Sequence, residues 1–141
     1  MKQRVFETAF SKYFDKGIIG QGGSGTVHKV TDESGNQYAV KILDHTKATS
    51  AKRKRFKNEI MFCERNQHNN IISVIEHGLF KSGERDSPFY VMRIYDGSLR
   101  NLIDKRIAPA KVLPYFAQIL DGVEAAHLKN IFHHCCPVEI T

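Results

Sequence analysis

Cysteine is scarce in this sequence: three residues, Cys63, Cys135 and Cys136, in a chain of 141. Three cannot all pair and adjacent cysteines rarely bridge, which argues against a disulfide framework and fits a reducing compartment. Long apolar runs are missing too. None approaches the roughly 18 residues of a membrane-spanning helix, and the start, "MKQRVFETAFSKYF", lacks the apolar stretch and cleavage site of a signal peptide. The expected location is therefore cytoplasmic. Internal repeats and low-complexity segments are absent from the sequence. Acidic residues are in deficit, 15 against 21 basic ones, giving a net charge of +6. Such an excess raises nucleic acid or an acidic partner, and much of it sits in "KRKRFK", Lys52 to Lys57. That run carries no interleaved aromatic platform, so a solvated helix face explains it more simply than a nucleic-acid interface.

What is present is the composition of a globular protein, 41% hydrophobic and 26% charged, in a chain of one ordinary domain's length. Short β-rich runs at Gly17 to Ile19 and Thr26 to Val30 flank a glycine cluster, and "DESGN", Asp32 to Asn36, is a turn feeding the strand "QYAVKIL", which ends at Leu43. After Ser50, a candidate N-cap, Phe56, Ile60 and Cys63 recur at helical spacing and predict a helix to about Asn66. Two more strands, Ile72 to Leu79 and Phe89 to Ile94, are separated by the polar stretch "KSGERDSP". Beyond Tyr95 the pattern turns helical: a short helix opening near Ser98, and a long one from about Ala110 to Lys129, since Pro114 is tolerated only near a first turn. The expected fold is α+β, a five-stranded antiparallel sheet with one helix, followed by two further helices.

The chemistry begins with "GQGGSGTV", in which Gly20, Gly22 and Gly25 stand at G-x-G-x-x-G spacing, with Gly23 and Ser24 between and Val27 two positions on. Such glycines let backbone N–H groups approach phosphate oxygens with no Cβ in the way. The same spacing marks dinucleotide-binding folds, but those need a helix directly after the loop, and here the strand "TVHKV" follows. Next, "YAVKI" places Lys41 inside a strand that otherwise reads as buried. A lysine there is costly without an anion. Glu59 supplies one, on the same helix stripe as Phe56, Ile60 and Cys63.

At this point the residues resemble the protein kinase family, of serine/threonine style, in order from about Tyr13 to His133. "GQGGSGTV" is similar to its glycine-rich loop, "YAVK" to its strand lysine and Glu59 to the glutamate of its movable helix. "HNNII" resembles the loop after that helix, "FYVMRIYDGSLRNLI" the strand into the hinge, and "ILDGVEAAHLKNIFH" the long helix before the catalytic loop. The resemblance implies a small lobe with glycine-rich loop and hinge over residues 1–95, partial large-lobe helices over 96–132 and an aberrant tail over 133–141. It implies ATP as ligand: Gly20, Gly22, Gly23, Ser24 and Gly25 around the triphosphate, Val27 and Ala39 sandwiching adenine, Met92 as gatekeeper, backbone groups of Arg93 and Tyr95 on the adenine edge, and Lys41, held by Glu59, on the α- and β-phosphates.

The family then continues H-R-D-L-x-x-x-N, but this sequence reads "HHCCPVEIT" from His133, with Cys135 where the proton-accepting aspartate belongs, and D-F-G does not occur. Mg2+ is expected for the family, yet the aspartate and asparagine that hold it are absent from these residues. Four consecutive candidate ligands, His133, His134, Cys135 and Cys136, do not readily surround one ion, because neighbours on an extended chain point to opposite sides. No metal site is expected there, and loss of register within one residue is what a shifted reading frame produces. The expectation is thus an ATP-binding, kinase-like chain that is truncated or frameshifted and inactive in transfer, with a non-catalytic protein-binding module and a nucleic-acid binder as alternatives. The long helix also presents Val112, Phe116, Ile119, Leu120 and Val123. Unburied, five such side chains forgo roughly 7 to 15 kcal/mol, as much as a whole domain's stability, so the region after Tyr95 is expected to be poorly ordered, to self-associate, or to need a protein partner that covers this helix.

Overall fold

The structure is a computed structural model that describes residues 3–23, 25–46 and 48–129. It divides into two compact units: the residues up to Met61 with Val74–Ile94, and Phe62–Ser73 with those from Tyr95 on. The second cut falls beside the change of pattern read at Tyr95; the first also assigns the end of the helix and the segment after it to the second unit.

The first unit holds a six-stranded antiparallel sheet, β1 (Val5–Glu7), β2 (Lys12–Gly22), β3 (Gly25–Thr31), β4 (Gln37–Ile42), β5 (Val74–Ser82) and β6 (Arg85–Arg93), in the order β1-β2-β3-β4-β6-β5. Six strands replace the expected five. The addition is β1, whose three residues are too short to show a period of two, but which pairs Phe6 with Tyr13 and buries Phe6 completely. The polar stretch expected as a loop is also mostly strand: β5 and β6 pair from Val74↔Met92 out to Ser82↔Arg85, leaving a two-residue turn that opens on Gly83 at φ 68°. A glycine at positive φ suits a tight hairpin, and an exposed hairpin end does not need apolar residues to pair. The Asp32–Asn36 turn forms as expected. Asp32 accepts from the backbone N–H groups of Ser34 and Asn36 at 2.9 and 2.8 Å and from Asn36 Nδ2 at 2.9 Å, and these bonds, that of the Asn36 side chain first, hold its carboxyl below the usual range.

Alternation along the strands sends Phe6, Tyr13, Val30, Val40, Ile42, Phe89 and Val91 to one face, where they form the buried core with Tyr38 and Phe80 packed against it. Two features close this face. The turn after β1 is tied to β5, with the hydroxyls of Thr8 and Ser11 both donating to the Glu76 carboxylate, Ser11 at 3.0 Å. At Gly78 a Cβ would sit 2.9 Å from Phe89 Cζ and 3.0 Å from the Glu7 carbonyl oxygen, so the two edge strands approach to a distance only glycine allows. His28 is buried on the same face, its Nδ1 3.0 Å from Asp15 Oδ2 and its ring edge-on to Phe6.

Helix α1 (Ser50–Arg65) follows β4. Thr49, not Ser50, caps it: the Thr49 hydroxyl accepts from Lys52 N–H at 3.2 Å. Its first turn has no acidic residue and carries Lys52 and Arg53, which oppose the helix dipole. In the second unit α2 (Leu99–Asp104) opens on Ser98 with a reciprocal cap to Asn101, and α3 (Pro109–His127) has proline in its first turn and Pro114 inside. Of the expected apolar stripe of α3, Val112, Phe116 and Leu120 are 49–55% exposed, and Ile119 and Val123 are half-buried. Among the described residues no helix is long and apolar enough to cross a membrane. The tail from His133 lies outside the described residues.

Burial pushes the Tyr13 phenol up to about 12 from its ordinary 10.0, with the Ser11 hydrogen bond opposing and the Glu76 charge adding. Below pH 10 both folded and unfolded states hold this proton, so the shift contributes nothing. Between about pH 10 and 12 the unfolded chain ionises first and stability falls. Denaturant midpoints of wild type and Tyr13→Phe should therefore diverge with pH only in that window, the wild type losing more; a gap that is constant from pH 8 to 11.5 would refute this.

Candidate functional site

The glycine hairpin is built by β2 and β3, whose last register pair is Gly22↔Gly25. Gly25 has φ 135°, and a Cβ there would lie 2.4 Å from the Ile42 carbonyl oxygen. Backbone conformation and space both demand glycine, because the start of β3 rests directly on the end of β4. Gly22 and Gly23 are different: they are exposed, and a Cβ on either would meet nothing within 4 Å. Their bare backbone is open to an incoming group. Beneath them a shallow depression continues to Leu43 and Asp44. The Asp44 carboxylate is turned to its own loop, accepting from Thr46 N–H and Oγ1, each at 2.9 Å.

The face of the sheet opposite the core carries the remaining residues. Register places Gly20 beside Val27, Val27 beside Lys41, Lys41 beside Tyr90, and Ala39 beside Met92, so five of the expected site residues share one face by alternation alone. The sixth, Glu59, comes from α1. Its Oε1 lies 2.8 Å from Lys41 Nζ, with side chains 16% (Lys41) and 9% (Glu59) exposed. Phe56 and Ile60 are buried on the same stripe of α1, which brings Glu59 to the sheet along with them. Arg53 adds a tether, donating to the Asp86 carbonyl oxygen at 3.0 Å.

One participant gave no sign in the sequence. Tyr90 donates its hydroxyl to the same Glu59 Oε1 at 2.7 Å, while Lys41 Nζ lies 5.8 Å from the Tyr90 ring centroid and 5.9 Å from that of Phe56. The ammonium thus meets one carboxylate and two aromatic rings, which offsets the cost of withdrawing it from water. A strand tyrosine reads as ordinary β composition; only the Lys41↔Tyr90 register gives it a role.

On the Lys41 face Ala39 and Met92 are buried. Two further expected site residues lie elsewhere: Arg93 is exposed at the end of β6, and Tyr95 is half-buried in the second unit. Ser24 lies outside the described residues, as do His133, His134, Cys135 and Cys136. Among the described residues no group of three or more His, Cys, Asp or Glu side chains is placed to hold a metal ion.

Comparison with known proteins gives a family match: residues 13–135 match the protein kinase domain. A receptor-like serine/threonine-protein kinase of Arabidopsis thaliana is 30% identical over 132 residues, covering 94% of this chain and 35% of the relative. The serine/threonine-protein kinase STK11 of Homo sapiens is 29% identical over 129 residues, 86% of this chain and 29% of the relative. Serine/threonine-protein kinase PksC of Streptomyces coelicolor is 30% identical over 135 residues, 89% of this chain and 24% of the relative. The chain thus spans about a third or less of the length of these relatives.

The contrast between glycines is testable. Gly25→Ala should lower stability by roughly 1 to 3 kcal/mol through forced positive φ and the contact with Ile42, whereas Gly22→Ala should stay within about 0.5 kcal/mol of wild type. Chemical denaturation of both variants checks it; equal effects would mean that the hairpin does not rest on β4 as described.

Proposed function

The chain belongs to the protein kinase domain family, and on that premise we propose that it binds ATP on the face of the sheet opposite the core. The observation that carries the proposal is the Lys41–Glu59 pair, 2.8 Å apart on the face opposite the core and shared with Gly20 and Val27. A lysine ammonium has three donors, so Lys41 can keep Glu59 while turning another N–H to an α- or β-phosphate oxygen. Gly20, Gly22, Gly23 and Gly25, with Ser24 between, would cover the phosphates with backbone N–H groups. Val27 and Ala39 would hold adenine, Met92 beside Ala39 would limit the depth of its site, and Arg93 and Tyr95 would offer backbone groups to its edge. The family implies Mg2+ as a source of charge neutralisation at the phosphates, but the D-F-G aspartate and the catalytic-loop asparagine that would hold it do not occur in these residues.

Transfer of the γ-phosphate to protein serine or threonine hydroxyls is a separate matter. Phosphoryl transfer depends on positioning the attacking hydroxyl and on charge neutralisation. In these 141 residues Cys135 stands where the proton-accepting aspartate is expected, and no D-F-G occurs. We therefore propose nucleotide binding without turnover for this chain, in the cytoplasm where ATP is supplied. A second reading, a module that docks on another protein, draws support from the exposed Val112, Phe116 and Leu120 on α3; partner binding that survives Lys41→Met unchanged would favour it. Nucleic-acid binding through Lys52 to Lys57 has less support, since Arg53 of that run is committed to Asp86.

Calorimetric titration with MgATP should show saturable binding to the wild type. Lys41→Met should weaken it about ten- to a hundredfold, the loss of charge-assisted bonds to phosphate, with no radiolabel transferred to a generic protein substrate by either. Binding that is absent in the wild type, or indifferent to Lys41→Met, would end the proposal.

A further inference from the structure

Helix α1 enters the structure at a disadvantage. Lys52, Arg53, Lys54 and Arg55 crowd its N-terminal turns, no acidic residue stands in the first, and the dipole there is itself positive. Its hold on the sheet therefore rests on contacts further along: the Arg53 tether, the buried Phe56 and Ile60, and the polar cluster around Glu59. Within that cluster a single oxygen, Glu59 Oε1, accepts from both Lys41 Nζ at 2.8 Å and Tyr90 Oη at 2.7 Å.

The two bonds differ in what a ligand can do to them. Lys41 is the group that the proposed nucleotide would engage, and an ammonium shared between Glu59 and a phosphate has its charge divided between two acceptors while it keeps both. A carboxylate only 9% exposed then gains from a second donor that the phosphates do not draw on. Tyr90 carries no charge that a phosphate could compete for, and its ring is fixed against Phe56 at 5.5 Å and in register with Lys41. We propose that Tyr90 is a positioning residue for Lys41: its hydroxyl keeps the Glu59 carboxylate, and so α1, against the sheet while the ammonium is shared with the phosphates. This rests on the nucleotide-binding reading and deepens it by adding a residue that acts through Glu59.

Comparing ADP with adenosine separates this role from a merely structural one. Adenosine has no phosphates and makes no demand on Lys41, whereas ADP does. Tyr90→Phe keeps the ring and removes the donor, and it should weaken ADP binding by roughly three- to tenfold, a part of the worth of one hydrogen bond to a carboxylate because Lys41 still holds Glu59, while leaving adenosine within about twofold. In a Lys41→Met background the same substitution should have no further effect on ADP, because the two act through one carboxylate. Tyr90→Met, which also lacks a donor, should repeat the pattern if Tyr90→Phe does not fold. Equal loss for both ligands, no loss for either, or failure of both variants to fold would overturn the role proposed for Tyr90. Absence of ADP binding in the wild type would instead overturn the nucleotide reading on which it rests.

Discussion

An ammonium and a carboxylate 2.8 Å apart, each mostly withdrawn from water, set the terms for the first unit of this molecule. Neither can be kept there alone, since removing one partner of a buried pair costs about 3 to 5 kcal/mol. The pair requires a strand to present the lysine on a defined face, a helix to deliver the glutamate, and surroundings that supply further partners. β4, α1 and the aromatic rings of Phe56 and Tyr90 meet these needs. The helix has little dipole stability of its own, so the pair locates α1 as much as α1 locates the pair.

The sheet separates stability from chemistry by alternation. Val40, Ile42, Phe89 and Val91 point to the core, while Lys41, Tyr90 and Met92, their neighbours in sequence, point the other way. The core face is closed by Phe6 and the Glu76 ties and contains the His28–Asp15 pair. The opposite face keeps exposed glycine backbone at one end and a charged centre beside it.

Much of this was legible in the residues themselves. Glycines at fixed spacing, a lysine in an apolar strand and a glutamate on an apolar helix stripe are each costly unless something uses them, and together they single out Gly20, Gly25, Lys41 and Glu59 in the sequence alone. Other features left no such trace. Three residues of β1 are too few for a period, and its significance lies in burying Phe6 under a sheet that the local sequence does not announce. The β5–β6 hairpin hid behind polar residues because both its faces are exposed near the turn, so pairing rather than composition makes it strand. Tyr90 escaped because its hydroxyl partner is chosen by cross-strand register, a long-range property. Thr49 in place of Ser50 as cap is a shift of one residue between two equally good candidates.

The strict division of labour between the two faces bears on which length changes the gene can accept. A single codon lost or gained within β4 would reverse the facing of the strand residues beyond it, sending the lysine into the aromatic core and a valine into its place beside Glu59. Loss of one residue is thus more damaging here than most substitutions. The Asp32–Asn36 turn is another case: its bonds are local and its residues exposed, so insertions there leave both registers intact. Length polymorphism among natural variants of this chain should accordingly collect at that turn and spare the six residues that follow it.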